Sequence, residues 1–269
     1  MFKHFIITRF NLRTTYWDKT KNNEDVLTNE WQQHRLEVFR QYCFPSIKNQ
    51  VNQNFIWLVY FDTKSPDFIM KDIEKMKSEY KNFQPRFLSE MELIKEEMKT
   101  DMKKHFEKDT EFVISSRLDS DDALHRDFIH AVQNRFAKQE TCIVDPEVGI
   151  CLQTEPYFLI SKYKTTYSPF VSLIESTENF KTVFSRIHNQ WAGVCEVEKI
   201  TGSILWLQLI HGKNLLNHMN ADKFIYSKNI LTEFGIDSKE IYPGTAYSLK
   251  VFYLNSVLLL KKMLRRFKW

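Results

Sequence analysis

The chain has 269 residues, 43% of them apolar and 14% aromatic, enough to bury a sizeable core in one main domain with an appendage. Its net charge of +4 says little alone, but no aromatic repeat with interleaved basic residues is present, so no nucleic-acid partner is expected. With six glycines and neither a GxGxxG nor a GxxxxGK[ST] run, a glycine-rich phosphate loop is excluded.

In chain order, Phe5 to Thr8 reads as a first strand, and residues 30–51 as a helix carrying Trp31, Leu36, Phe39, Tyr42 and Ile47, kinked or divided at Pro45. Phe55 to Phe61 is a nearly continuous apolar run, as in a strand buried on both faces of a parallel sheet. Residues 65–82 read as a helix, 84–88 as a short strand, 90–108 as a charged helix and 111–116 as another strand. The tetrapeptide Asp119-Ser120-Asp121-Asp122 follows, then a helix over about 123–138. This order predicts an α/β fold: an open, Rossmann-like, mostly parallel sheet flanked by helices on both faces. Ligands of such sheets bind beyond the carboxyl ends of the strands. Thr8, Arg9, Asp62 and the acidic tetrapeptide all lie at such ends.

Beyond Thr141, residues 142–144, 150–152 and 157–160 read as short antiparallel strands, and 170–192 are mixed. Trp206 to Ile210 is an apolar strand before His211-Gly212, and a segment closing at Pro243-Gly244 leads into the tail. No internal repeat or low-complexity linker is present. Cys43, Cys142, Cys151 and Cys195 form no CxxC pair and no zinc spacing, and read as buried free thiols of a reducing compartment. The N-terminal apolar run is too short for a signal peptide. No stretch reaches the roughly 20 apolar residues of a membrane span. A cytoplasmic location is expected.

Three carboxylates within four residues repel one another, and burial raises the cost, unless a cation sits among them. Hard oxygen ligands select Mg2+ or Mn2+, ions that keep positions open for water and substrate phosphates. Asp121 and Asp122 are the expected metal contacts, with Asp119 nearer a ribose or a metal-bound water. The alternative is an Asp-rich helix N-cap, for which one aspartate would suffice. Arg117, inside an otherwise buried strand, needs a carboxylate or a phosphate as partner.

Five pieces, Thr8-Arg9-Phe10-Asn11, Tyr42 to Ile47 with Gln50, Phe55 to Asp62, Ser116 to Leu124 and Trp206 to Gly212, together resemble the rhamnosyltransferase family of bacterial polysaccharide glycosyltransferases. The likeness spans roughly residues 4–215, and the central piece is similar to the Asp-x-Asp-Asp element of GT-A glycosyltransferases. The resemblance implies a GT-A-like transferase domain over 1–215 and a C-terminal extension over 216–269. It implies a metal-dependent transfer of rhamnose or a hexose from a nucleoside-diphosphate sugar to a surface polysaccharide or lipid-linked glycan. A metal on the diphosphate would stabilise the leaving group without proton transfer.

By the same likeness, Asp62 contacts the nucleoside base or ribose, Thr8 and Arg9 wall that pocket, and His211 completes the metal or diphosphate site. An ordinary turn aspartate, an exposed arginine and a satisfied core histidine are the structural readings of those positions. His188 and His218 read as surface histidines. A displacement mechanism needs a carboxylate base, for which Glu155 and Glu175 are the candidates. A nucleotidyltransferase or metal-dependent phosphohydrolase is the alternative reading of the whole. After Glu240 the chain has no acid but carries Lys250, Lys261, Lys262, Arg265, Arg266 and Lys268 among large apolar residues. That pattern suits either a helix on an anionic inner membrane surface or a core-packing helix with a solvated basic end.

Overall fold

The computed structural model describes residues 1–14, 19, 25–214, 218–237 and 246–266. Two sheets share the chain. Seven strands form the first, in the order β10 (Glu196–Ile200), β6 (Thr141–Pro146), β9 (Ser172–Ser176), β4 (Phe112–Arg117), β1 (Phe2–Arg9), β2 (Ile56–Asp62) and β3 (Phe83–Leu88). From β4 to β3 all neighbours are parallel, whereas β9 runs antiparallel to both β4 and β6. The second sheet orders β12 (Lys223–Phe224), β8 (Leu159–Lys164), β7 (Val148–Gln153), β11 (Trp206–Ile210) and β5 (Ala123–Leu124).

Strand alternation sorts the core onto the two faces of the first sheet. Ile6, Trp57, Val59, Phe61 and Ile114 face the helices α1 (Asn29–Val38), α2 (Phe44–Lys48), α3 (Asp67–Glu79) and α5 (Phe128–Gln133). Phe5, Ile7, Leu58, Tyr60 and Val113 face α4 (Ile94–Lys103) through Ile94, Met98 and Met102. The expected α/β class and helix-flanked sheet are therefore observed.

Several local expectations are corrected. The helix through Pro45 is not divided there: a π turn over Phe39–Cys43, with the Phe44 N–H bonded to the Phe39 carbonyl, precedes the proline. The wider turn accommodates a ring that would otherwise press on the preceding turn. Residues 123–138 are not one helix. Ala123 and Leu124 pair with Leu207 and Trp206, and α5 begins only at Phe128. The strands after Thr141 are only partly antiparallel, since β6 pairs parallel with β10 and β7 parallel with β11. β9 had no clear pattern because polar residues sit in mid-sheet, whereas β10 is an edge strand with Glu196, Glu198 and Lys199 exposed. Ser172 and Ser116 share a 2.6 Å hydroxyl contact, and His4 Nε2 meets Ser116 Oγ at 2.7 Å.

Only Glu147 separates β6 from β7, so one stretch of chain passes from sheet to sheet. Trp206 locks this junction: its Nε1 donates to the Pro146 carbonyl at 2.6 Å and its ring stacks on Phe170 at 4.9 Å. The last helix, α6 (Ala246–Arg266), packs Tyr247 and Val251 on Leu159 and Phe224 of the second sheet. The boundary expected at 215/216 and the Pro243-Gly244 turn lie outside the described residues.

Candidate active site

Parallel strands end on a common edge, and the carboxyl ends of β1, β2 and β4 deliver Arg9, Asp62 and Arg117 there. The turn carrying Asp119 to Asp122 crosses this edge before β5 enters the second sheet. β11, running antiparallel to β5, brings His211 back to the same place. The expected cluster is thus assembled from four chain segments.

Asp119 is gripped by two arginines, Arg117 Nη2 at 3.3 Å and Arg9 Nη2 at 3.5 Å. Burial works against its charge, but Arg117, Arg9 and then Arg35 outweigh it, and the carboxyl is pushed down to about 2. Both guanidinium groups also face the Phe184 ring, at 5.0 and 5.3 Å. A carboxylate with a depressed pKa stabilises the fold above its ordinary range near 3.8, and that contribution disappears as pH falls through about 2. Asp119→Asn is therefore expected to flatten the fall of stability with pH over that window. Urea midpoints from pH 5 downward test this; parallel curves for the two proteins would contradict it.

Asp121 lies against His211 and Asn214. Asn214 Nδ2 donates to its Oδ2 at 3.1 Å, and His211 Nε2 stands 3.5 Å from the same oxygen. Burial disfavours the Asp121 charge, yet the imidazole and the Arg35 guanidinium hold its carboxyl below the usual range. At 3.5 Å the histidine contact is too long for a good hydrogen bond, and buried Nε2 has no other partner among the described residues. Two cis ligands on Mg2+ or Mn2+ lie about 3 Å apart, so this pair could hold such an ion. Nδ1 accepts the Lys213 N–H in a long 3.3 Å bond, which a cation on Nε2 would displace. Among the described residues no third His, Cys, Asp or Glu completes the set. Phosphate oxygens and water normally do so for these ions.

Asp122, expected on the metal, is placed elsewhere. Its Oδ1 accepts the Leu209 N–H at 2.9 Å, pinning the turn to β11. Burial first, then the charges of Asp121 and Asp119, lift its carboxyl well above the usual range. Thr8 is likewise no pocket wall: its fully buried hydroxyl accepts the Trp57 Nε1–H at 3.0 Å. Asp62 is engaged by Arg13 in a two-pronged pair, both contacts at 2.6 Å, and by the Lys64 N–H. A buried carboxylate needs such partners, and they leave it little capacity for a ribose.

Of the two candidate bases, Glu155 is brought near: its Oε2 accepts the Gly212 N–H at 3.2 Å, beside His211. Glu175 is not. It pairs with Val113, three residues back from the Ser116–Ser172 pair at the site end of the strand, and its carboxylate accepts the Lys181 and Thr182 N–H groups, both at 2.9 Å. Burial lifts its carboxyl above the usual range despite these two donors. Glu175→Gln should lower the melting temperature by a few degrees, about 1–2 kcal/mol of lost acceptor strength, and leave catalytic turnover intact. A selective fall in kcat at unchanged stability would return Glu175 to the chemistry.

α1 supplies what sequence reasoning missed. Trp31, His34, Arg35 and Val38 follow the i, i+3, i+4, i+7 spacing of one helix face, and with Asp121, His211 and Lys213 they line a small pocket. A histidine and an arginine interrupting an otherwise apolar face were the available signal. Arg35 stacks on Trp31 at 4.9 Å and donates to the Phe10 carbonyl at 2.7 Å; His34 lies 5.1 Å from the His211 ring. A larger groove, of about 860 Å³, is lined by His125, Arg135, Lys162 and Glu233 at the other end of β5 and β11, away from the cluster.

Arg117 Nε, Ser120 Oγ and His211 Nε2 are three of the six buried side-chain polar atoms without a hydrogen-bond partner among the described residues. All three border the acidic turn. Unsatisfied buried polar atoms are uncommon and cost stability; their concentration here marks a place built for a polar ligand. Three guanidinium groups, of Arg9, Arg35 and Arg117, gather around this turn, and guanidinium groups suit a phosphate-bearing ligand.

The model of the family described as "Putative rhamnosyl transferase" matches residues 3–222. No curated protein matches the chain. Among solved structures, S. aureus TarS 1-349 in complex with UDP-GlcNAc is 13% identical with a TM-score of 0.48, over 93% of this chain and 76% of that one. S. aureus TarS 1-349 is 13% identical with a TM-score of 0.44, over 77% of this chain. A "putative nucleotide-diphospho-sugar transferase" from Desulfovibrio desulfuricans G20 is 11% identical with a TM-score of 0.38, over 97% and 98% of the two chains. The chain spans 60% of TarS 1-349 and 37% of the longer TarS structure.

Proposed function

The chain belongs to this rhamnosyl transferase family, and on that premise we propose that it transfers a sugar, rhamnose or a hexose, from a nucleoside-diphosphate donor in a reaction dependent on Mn2+ or Mg2+. The acceptor in this reading is a growing bacterial surface polysaccharide or a lipid-linked glycan. The observation that carries it is the set of unsatisfied buried atoms of Arg117, Ser120 and His211 beside the acidic turn.

In this reading Asp121 and His211 hold the metal ion. When bound, the ion neutralises the charge that grows on the departing nucleoside diphosphate. Arg9, Arg35 and Arg117 flank the same diphosphate, and Asp119 acts through the arginines, fixing the two guanidinium groups it touches before substrate arrives. Such preorganisation avoids rearrangement during reaction. Both guanidinium groups also lie over the Phe184 ring, which restricts them further. In the same reading Glu155, whose carboxylate accepts the Gly212 N–H, takes the acceptor hydroxyl proton.

Incubation with deoxythymidine diphosphate rhamnose and uridine diphosphate hexoses in the presence of Mn2+ separates the readings by product. Release of free nucleoside diphosphate from one donor, abolished by a chelator, is expected. Release of the sugar 1-phosphate instead, with a nucleoside monophosphate for a phosphohydrolase or with the nucleotide passed to another acceptor for a nucleotidyltransferase, would establish the alternative.

A further inference from the structure

The outer face of α6 is apolar. Leu249, Phe252, Tyr253, Leu259, Leu260, Met263 and Leu264 are each 49–74% exposed. At about 100° per residue they fall within one arc of about 140°. The opposite face is already committed: Tyr247, Val251, Leu254 and Leu258 pack on Leu159 and Phe224. Asn255 accepts the Phe224 N–H and donates to its carbonyl, at 2.8 and 3.1 Å, closing the edge of β12. The helix is therefore fastened to the body with its second apolar face turned out. Exposed apolar surface on this scale marks an interaction site rather than ordinary surface composition.

Charge identifies the occupant. By the same helical geometry Lys250 and Lys261 border one side of the exposed arc and Lys262 the other; Lys261 is open to solvent, Lys262 Nζ reaches back to the Asp222 carbonyl at 3.4 Å and Lys250 Nζ lies over the Tyr157 ring. No acidic residue follows Glu240. An apolar face bordered by lysines is what a helix lying in the headgroup layer of an anionic bilayer presents, its lysine stems crossing apolar surface and their ammonium groups meeting phosphate. A protein partner binding by apolar contact alone gains nothing from an acid-free border. No described helix is long and apolar enough to cross a membrane. We propose that α6 docks this protein, by the face from Leu249 to Leu264, on an anionic phospholipid surface.

The location suits the transfer reading without depending on it. Lys250 Nζ lies 2.9 Å from the centre of the Tyr157 ring, two residues from Glu155. A lipid-linked acceptor rising from that surface would meet the Glu155 side of the cleft. The docking claim itself needs only the helix.

Flotation of the full chain with phosphatidylcholine vesicles, alone and mixed with phosphatidylglycerol, tests it. Binding to the mixed vesicles, weakened by salt, is expected. Phe252→Glu with Leu260→Glu, both at exposed positions, should weaken it by at least about tenfold. Donor hydrolysis in solution should be unchanged by the pair, so loss of docking and failure of the transfer reading are separate results. No binding to mixed vesicles overturns the proposal, and so does equal binding by the variant. A concentration-dependent dimer in sedimentation, abolished by the same substitutions and without vesicle binding, would assign the face to a second copy and overturn it too.

Discussion

Asp121→Asn is expected to lower the metal-dependent release of nucleoside diphosphate by about a hundred- to a thousandfold. The substitution keeps side-chain volume and the Asn214 contact while removing the negative charge facing His211 Nε2 at 3.5 Å. A carboxamide oxygen is a far weaker ligand than a carboxylate for a hard divalent ion. The fold should survive, since replacing a buried charge by a neutral group lowers desolvation cost, and Asp122 retains its bond to Leu209. His211→Ala should act in the same direction and non-additively with Asp121→Asn, because both remove the same ion. Two independent losses that multiply would place the groups in different roles.

Gly149→Ala is expected to destabilise the protein by about 3 kcal/mol, the upper end of the overpacking range, lowering the melting temperature by about 6–12 °C. A Cβ at Gly149 would stand 2.0 Å from Trp206 Cδ2, with two further ring carbons at 2.2 and 2.3 Å. Trp206 cannot retreat easily: it is buried, stacked on Phe170 and hydrogen-bonded to Pro146. Gly149 and Trp206 are cross-strand partners in the β7–β11 ladder, so the clash strains the register that carries His211 to the site. Trp206→Phe in the alanine background should restore part of the loss by shortening the ring system. If Gly149→Ala alone melted within a degree of the parent, the junction would be looser than its contacts indicate.

The first half of the fold was legible because its signals are local. A strand such as β2, buried on both faces, is an uninterrupted apolar run, and the acidic turn follows β4 where the ligand edge of a parallel sheet belongs. The helix expected from Ala123 was wrong because pairing with β11 overrides the local preference of Ala-Leu. β9 escaped notice because its Ser172 is satisfied by Ser116 of β4, which also meets His4 of β1, a pairing invisible before the strands are adjacent.

Site residues divided in the same way. Arg9, Arg117, Asp119, Asp121 and His211 come together in space, and Glu155, which spacing could not separate from Glu175, lies beside His211. Thr8, Asp62, Asp122 and Glu175 sit at plausible strand ends or strand interiors but are engaged by Trp57, Arg13, Leu209 and the 181–182 backbone. Spacing along the chain cannot show that a polar atom is already satisfied. Nor could it show that α1 folds Arg35 and His34 over the acidic turn, since the nearest of those residues is more than eighty positions from Asp119.

The central claim is that the acidic turn, His211 and the three arginines hold a donor diphosphate together with a divalent ion. Calorimetric titration of uridine and deoxythymidine diphosphate into the unsubstituted chain, with Mn2+ and with a chelator, tests it most directly. At least one nucleotide is expected to bind at least about tenfold more tightly with Mn2+, and Asp121→Asn to erase that difference. Equal affinity with and without the ion, or an enhancement that persists in Asp121→Asn, would contradict the account.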